Sequence, residues 1–183
     1  MSKIAIKGAT TGTGVFTLES PATNTDRTLI LPDEAGTVLT SASNVAQKGV
    51  PAFSAYQSSA QTIAQNVVTK VALQSKEFDT SSAFDNTTNY RFQPTTAGYY
   101  FINAGIGVDS SPQNFQVLIY KSGLGNKVGT NAASQYWGVA SSLLYLNGTT
   151  DYVELYTYFG GGSFNLVANI NLTYLQGHLV RAD

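Results

Sequence analysis

The chain has 183 residues, of which 43% are hydrophobic and 11% charged; its formal net charge is −1 and it contains no cysteine. This length fits one ordinary domain with an appendage, and the apolar share excludes wholesale disorder. Disulfides, thiolate metal sites and cysteine nucleophiles are excluded together, and ten scattered Lys and Arg disfavour nucleic-acid binding.

The charged share is well under the roughly 25% of ordinary globular domains. Ser, Thr, Asn, Gln and Gly stand in its place, a surface that hydrogen-bonds without repelling and suits a protein largely covered by partners. The opening residues Met1 to Gly8 lack the apolar run of a secretory signal, and no stretch reaches the ~18 apolar residues of a membrane span.

In chain order, residues 1–45 read as short β pieces: Ile4-Ala5-Ile6, Val15-Phe16-Thr17-Leu18, Leu29-Ile30-Leu31-Pro32 and Thr37-Val38-Leu39. Their apolar content is too thin for an independent core, so this extended segment needs another surface or its own copies to be ordered. Residues 46–50 read as a linker, and the main domain spans 51–183. The best helical candidate, Ala60 to Asn66, runs into the β-branched Val67, Val68 and Thr69, which favour a strand.

Period-two runs follow instead. Tyr100, Ile102, Ala104, Ile106 and Val108 share one face; Phe115, Val117 and Ile119 another. Val153, Leu155 and Phe159 oppose Tyr152, Tyr156 and Tyr158. The clearest alternation is Phe164, Leu166, Ala168, Ile170, Leu172 and Tyr174 against Asn165, Asn169, Asn171 and Thr173, which predicts one continuous strand. Asn147-Gly148 predicts a hairpin turn, Ser122-Gly123-Leu124-Gly125 another, and Gly160-Gly161-Gly162 a flexible loop. Many short strands with regular turns predict an all-β antiparallel sandwich or barrel.

No catalytic, cofactor-binding or metal-ligating residue is assigned. His178, the single histidine, reads as a strand residue without the partners a general base needs. The acidic residues form no cluster, and no carboxylate pair with glycosidase spacing stands out. Gly8 to Gly14 lacks the lysine of a phosphate loop, and Gly123 to Gly129 has the wrong spacing for a dinucleotide fingerprint. Asp79, Asp85, Asp109 and Asp151 read as turn residues ahead of calcium ligands. Tyr136 and Trp137 are candidates for contact with a surface glycan, with burial in the core or at a subunit seam as the other reading.

Two resemblances rest on particular residues. The stretch Ile4-Ala5-Ile6-Lys7-Gly8 through Gly12-Thr13-Gly14-Val15-Phe16-Thr17-Leu18-Glu19-Ser20-Pro21, then Leu29-Ile30-Leu31-Pro32-Asp33-Glu34-Ala35-Gly36-Thr37-Val38-Leu39-Thr40, resembles the leaders of tailed-bacteriophage fibre and virion proteins. The remainder resembles the globular head of the complement recognition protein, a trimeric jelly roll shared with the tumour necrosis factor (TNF) family. Pro51-Ala52-Phe53-Ser54-Ala55-Tyr56 matches its entry strand. Tyr90-Arg91-Phe92-Gln93-Pro94-Thr95-Thr96-Ala97-Gly98-Tyr99-Tyr100-Phe101 is close to its signature. Leu143-Leu144-Tyr145-Leu146-Asn147-Gly148-Thr149-Thr150-Asp151-Tyr152-Val153-Glu154-Leu155 resembles its penultimate hairpin with one extra residue. Tyr174-Leu175-Gln176-Gly177-His178-Leu179 stands at its closing strand, with Leu175 in place of an aromatic.

These resemblances imply an all-β, TNF-like jelly-roll sandwich behind an extended β-rich N-terminal segment. They imply a non-enzymatic structural protein of a phage virion, in which residues 1–45 attach a homotrimeric head to other virion proteins through Ile4, Ile6, Phe16, Leu18, Leu29 and Leu31. A tail fibre or spike that adheres to the host surface is the favoured role, and a trimeric capsid decoration protein the alternative. Neither needs a cofactor, nucleic acid or membrane insertion. Tyr99 and Phe101 face opposite to Tyr100 and Ile102, so both faces of that strand need cover, and a neighbouring subunit would supply one. By the same reasoning Tyr152, Tyr156 and Tyr158 are expected at the trimer interface.

Overall fold

The computed structural model describes residues 50–132 and 135–183, the side chains of 130–132 excepted, and isolated positions before residue 50. The chain divides into two compact units, Met1–Thr40 and Ser41–Asp183; the second carries the fold. Its strands are β1 (Ala52–Tyr56), β2 (Gln61–Ile63), β3 (Thr69–Lys70), β4 (Ser75–Asp79), β5 (Phe84–Asp85), β6 (Arg91–Phe92) and β7 (Gly98–Gly107). They continue with β8 (Asn114–Lys121), β9 (Leu124–Ala132), β10 (Trp137–Leu146), β11 (Val153–Gly160), β12 (Phe164–Leu166) and β13 (Tyr174–Ala182). One sheet has five strands, ordered β10-β7-β13-β1-β4. The facing sheet has the order β5-β6-β11-β8-β9, with β3 also on β11. The short β2–β12 pair forms a two-stranded sheet of its own that packs into the same core through Ile63 and Leu166, and every pairing is antiparallel.

Alternation decides what lies between the sheets. On β7, Tyr100, Ile102, Ala104 and Ile106 are fully buried, and on β11 Val153, Leu155 and Phe159 are as well. The two sheets meet in an aromatic stack. Phe53 of β1 lies 4.1 Å from Phe92 of β6, nearly parallel at 14°, and 5.4 Å from Phe84 of β5. Tyr100 meets Phe92 edge-on at 5.6 Å. Its hydroxyl, the one polar atom of this stack, donates to the Thr96 carbonyl at 2.8 Å, which satisfies it without water. At the far end Phe115, Phe159 and Phe164 form a second aromatic group.

The signature around residues 90–101 has a packing basis. Gly98, at φ +153°, opens β7 against β13, and a Cβ there would stand 2.3 Å from the Arg181 carbonyl oxygen. At the β8–β9 hairpin Ser122 and Gly123 both take positive φ (51° and 80°), the geometry that suits a two-residue turn between twisted strands.

Two expectations are corrected. Asn147-Gly148 does not close a hairpin, because β10 pairs with β7 and β11 with β8, on different sheets. Asn147 Oδ1 instead accepts from the backbone N–H of Thr149, Thr150 and Asp151, shaping a crossover loop. The alternation from Phe164 to Tyr174 is not one strand. The Asn169 carbonyl accepts from Leu172 and Thr173 N–H and its side chain from Asn171 N–H, which turns the chain between β12 and β13. Ile170 and Leu172 are exposed as a result. Residues 60–66 contain β2 and no helix, in keeping with the all-β reading.

Two outcomes follow. Gly98→Ala is expected to cost about 2–4 kcal/mol in denaturant unfolding, because strain and overlap with backbone add, whereas Gly123→Ala costs about 1 kcal/mol. Equal costs would contradict the close-approach account. Burial also pushes the Tyr100 hydroxyl up to about 12 from an ordinary 10.0. The folded state thus holds this proton where the unfolded chain loses it. Its contribution is complete below about pH 10 and lost as pH rises toward about 12. Stability should fall across that window, less steeply in Tyr100→Phe; identical slopes would contradict the assignment.

Candidate binding surfaces

Each sheet has an outer face, and the two differ in kind. On β11 alternation sends Tyr152, Tyr156 and Tyr158 outward over the β5-β6-β11-β8-β9 sheet, where all three are half-buried within the subunit. Tyr156 stacks on Tyr120 at 4.1 Å and 24°, with Lys70 Nζ 5.8 Å from its centroid. Tyr158 donates its hydroxyl to Asn66 Oδ1 at 3.0 Å. The Arg91 guanidinium lies 4.3 Å from the Tyr152 ring centroid. Among these rings Glu154 is only 3% exposed, and Lys70 Nζ donates to its carboxylate at 2.5 Å. A carboxylate so placed needs its partner. Burial pulls the Lys70 pKa down, but the bond to Glu154 and its charge outweigh that and leave it raised.

The outer face of the β10-β7-β13-β1-β4 sheet carries an exposed apolar band, next to the polar Asn103, Ser141 and Gln176. Leu143, Phe101, His178 and Ala52 stand in register across four strands. Leu143 is 60% exposed, Tyr99 45%, Val139 42% and Phe101 39%. Phe101 lies 6.0 Å from the His178 ring, and Tyr99 meets Tyr145 edge-on at 5.5 Å. A shallow depression of about 300 Å³ lies among Ala52, Phe78, Phe101, Gln176 and His178. Charge sits at the margins. Glu77 accepts from Ser54 Oγ on the edge strand β4, and Asp183 accepts from the Tyr145 hydroxyl at the chain end.

Tyr136 and Trp137 are each 59% exposed, so neither enters the subunit core. Trp137 begins β10 opposite Gly107, at one end of the apolar face. His178 belongs to the middle of that face. The proposed attachment residues Ile4, Ile6, Phe16, Leu18, Leu29 and Leu31 lie outside the described residues.

The four turn aspartates are engaged locally. Asp79 accepts from Ala83 and Phe84 N–H, Asp109 from Asn165, and Asp151 from Asn147 N–H, Ser122 and Lys121. Asp85 accepts five hydrogen bonds from Thr87, Thr88 and Asn89. The backbone bonds from Thr88 and Thr87, together with those from the Asn89 and Thr87 side chains, hold its carboxyl well below the usual range. Among the described residues no three His, Asp or Glu side chains gather as a metal site would require.

A polar cleft of about 320 Å³ opens at the β5–β6 end of the charged sheet, lined by Ser82, Asn89, Arg91, Gln93, Thr95 and Thr149 among others. Sequence reasoning missed it, because its walls come from three separate stretches of chain, 82–85, 89–95 and Thr149; Arg91 gave no signal beyond its place in the signature.

No protein-family model matches the chain, and no curated protein sequence matches it. Solved structures do. Eiger TNF from S. frugiperda superposes with a TM-score of 0.57 at 8% identity, covering 73% of this chain and 94% of that one. Murine APRIL superposes with a TM-score of 0.58 at 10% identity, covering 72% of this chain and 99% of that one. With this strand order and these superpositions, the fold is an all-β, antiparallel, TNF-like jelly roll.

Proposed function

We propose that the protein is a non-enzymatic structural component of a tailed-phage virion. Residues 1–45 attach it to the particle, residues 46–50 link, and residues 51–183 form a homotrimeric head that adheres to the host surface from a tail fibre or spike. The virion part rests on the leader cadence from Gly12 to Leu39. The trimer rests on one observation, the exposed row Leu143-Phe101-His178-Ala52 flanked by Tyr99 and Val139.

Soluble monomers rarely leave an apolar patch of this continuity in water. A second and third copy placed around an axis would bury it, and closed symmetry would use it in every subunit. The seam is therefore put on this face and not on Tyr152, Tyr156 and Tyr158. The need for partners that motivated the tyrosines is met inside the subunit by Tyr120, Arg91 and Asn66. Burying that second face would also desolvate the Lys70–Glu154 pair and Arg91, at a cost the apolar face does not incur.

Light scattering on the full chain should give the mass of a trimer. Leu143→Asp should raise the dissociation constant by at least about a hundredfold, since an unpaired buried carboxylate costs several kcal/mol. Tyr156→Ala should leave association unchanged. A monomeric wild-type chain, or trimers sensitive to Tyr156→Ala and indifferent to Leu143→Asp, would overturn the seam. For the virion role, antibody against residues 51–183 should label purified particles at the tail in electron micrographs. Label spread over the shell would assign the chain to capsid decoration, and unlabelled particles would sink the virion reading altogether.

A further inference from the structure

We infer that the cleft at the β5–β6 end is a binding site for an acidic sugar, whose carboxylate pairs with Arg91. This rests on the adhesive reading above and gives it a location and a ligand class.

Two of the three lysines on the sheet of Arg91 are paired, and the third, Lys127, stands exposed on β9, away from the cleft. Lys70 is bonded to Glu154 and Lys121 to Asp151. Among the described residues Arg91 has no carboxylate partner and no side-chain hydrogen bond; its guanidinium is held only by the Tyr152 ring, 4.3 Å away. Its cross-strand neighbour is Asp85, which also lines the cleft. That carboxylate is committed to five bonds from its own turn. The guanidinium is thus oriented by stacking while its donors stay free, the arrangement that favours a two-point bond to an incoming carboxylate.

The walls suit a sugar. About 320 Å³ lies at the small end of ligand-sized clefts, roughly 300–1,000 Å³. Ser82, Asn89, Thr95 and Thr149 line it beside Ala83, Phe84 and Pro94, a mixture of polar and apolar walls that suits the two kinds of surface on a sugar ring. Gln93 Nε2 donates to the Thr149 carbonyl at 2.9 Å and ties the crossover loop to the cleft wall. A single free cation matches one carboxylate better than a doubly charged phosphate. Two of the four non-glycine residues held at positive φ among the described residues lie here, Ser82 on the rim (φ 53°) and Tyr90 beside Arg91 (φ 50°).

The test is calorimetry on the full-length protein with tetragalacturonate and with N-acetylneuraminate. Maltotetraose, fully methyl-esterified tetragalacturonate, acetate and inorganic phosphate serve as comparisons. At least one acidic sugar should bind, and its uncharged counterpart should bind at least about tenfold more weakly, the share expected of a bidentate charged pair. Arg91→Met should remove that preference with thermal stability and trimer mass unchanged, and Arg91→Lys should restore part of it. No heat from either acidic sugar up to about 10 mM would overturn the proposal. So would equal binding by acetate or phosphate, or undiminished binding by Arg91→Met. Trimer mass and particle labelling are read separately, so failure here leaves the structural role standing and failure there leaves this site standing.

Discussion

The near-parallel stack of Phe53 on Phe92 joins the two sheets, and much of the molecule follows from it. Phe53 belongs to β1, next to the edge of one sheet, and Phe92 to a short strand of the other, so their contact at 4.1 Å joins the two sheets face to face. Strands alternate with period two. Once Phe92 points inward, Arg91 must point outward. Once Tyr100 packs edge-on against Phe92, Tyr99 and Phe101 must leave by the opposite face. Both outer surfaces are consequences of the same core contact, and neither can be altered by a one-residue slip without unmaking the stack.

The two outer faces then divide the work. The face carrying Leu143, Phe101 and Tyr99 is short of charge and suits permanent burial against copies of the chain. The face carrying Tyr120, Tyr156, Lys70, Glu154 and Arg91 is already assembled, with rings stacked and charges mostly paired. It suits exposure to solvent and intermittent contact with a polar partner. The low charged share, 11% of the chain, is thus unevenly spent.

The fold was legible in the sequence wherever one physical rule decided the outcome. Tyr90 to Phe101 combined alternation with Pro94 and Gly98 at positions that few other residues tolerate. The inward set on β11 followed from Val153, Leu155 and Phe159 alone. Legibility ended where side-chain hydrogen bonds or distant neighbours decided. Asn169 breaks a long alternation, interrupted in sequence only by Val167, by bonding Asn171 N–H, a choice that hydrophobic period cannot register. Asn147-Gly148 announces a turn but not the sheet that the next strand joins. Tyr99 and Tyr156 look alike in sequence, each an outward aromatic on an alternating strand. Only assembly shows that Tyr156 finds Tyr120 beside it while Leu143 and Phe101 have solvent. The Arg91 cleft needed residues from three separate stretches of chain and was beyond any local pattern.

The chain's lack of cysteine allows the central claim, association through the apolar sheet face, to be measured directly. A nitroxide label attached through Leu143→Cys, and another through Tyr156→Cys, would report distances between copies by pulsed electron spin resonance. The account requires a short distance for position 143, near the shared axis. It requires a clearly longer one for position 156, on the far side of a sandwich whose sheets stand about 10 Å apart. The reverse order, or no inter-copy distance at either position, would contradict it.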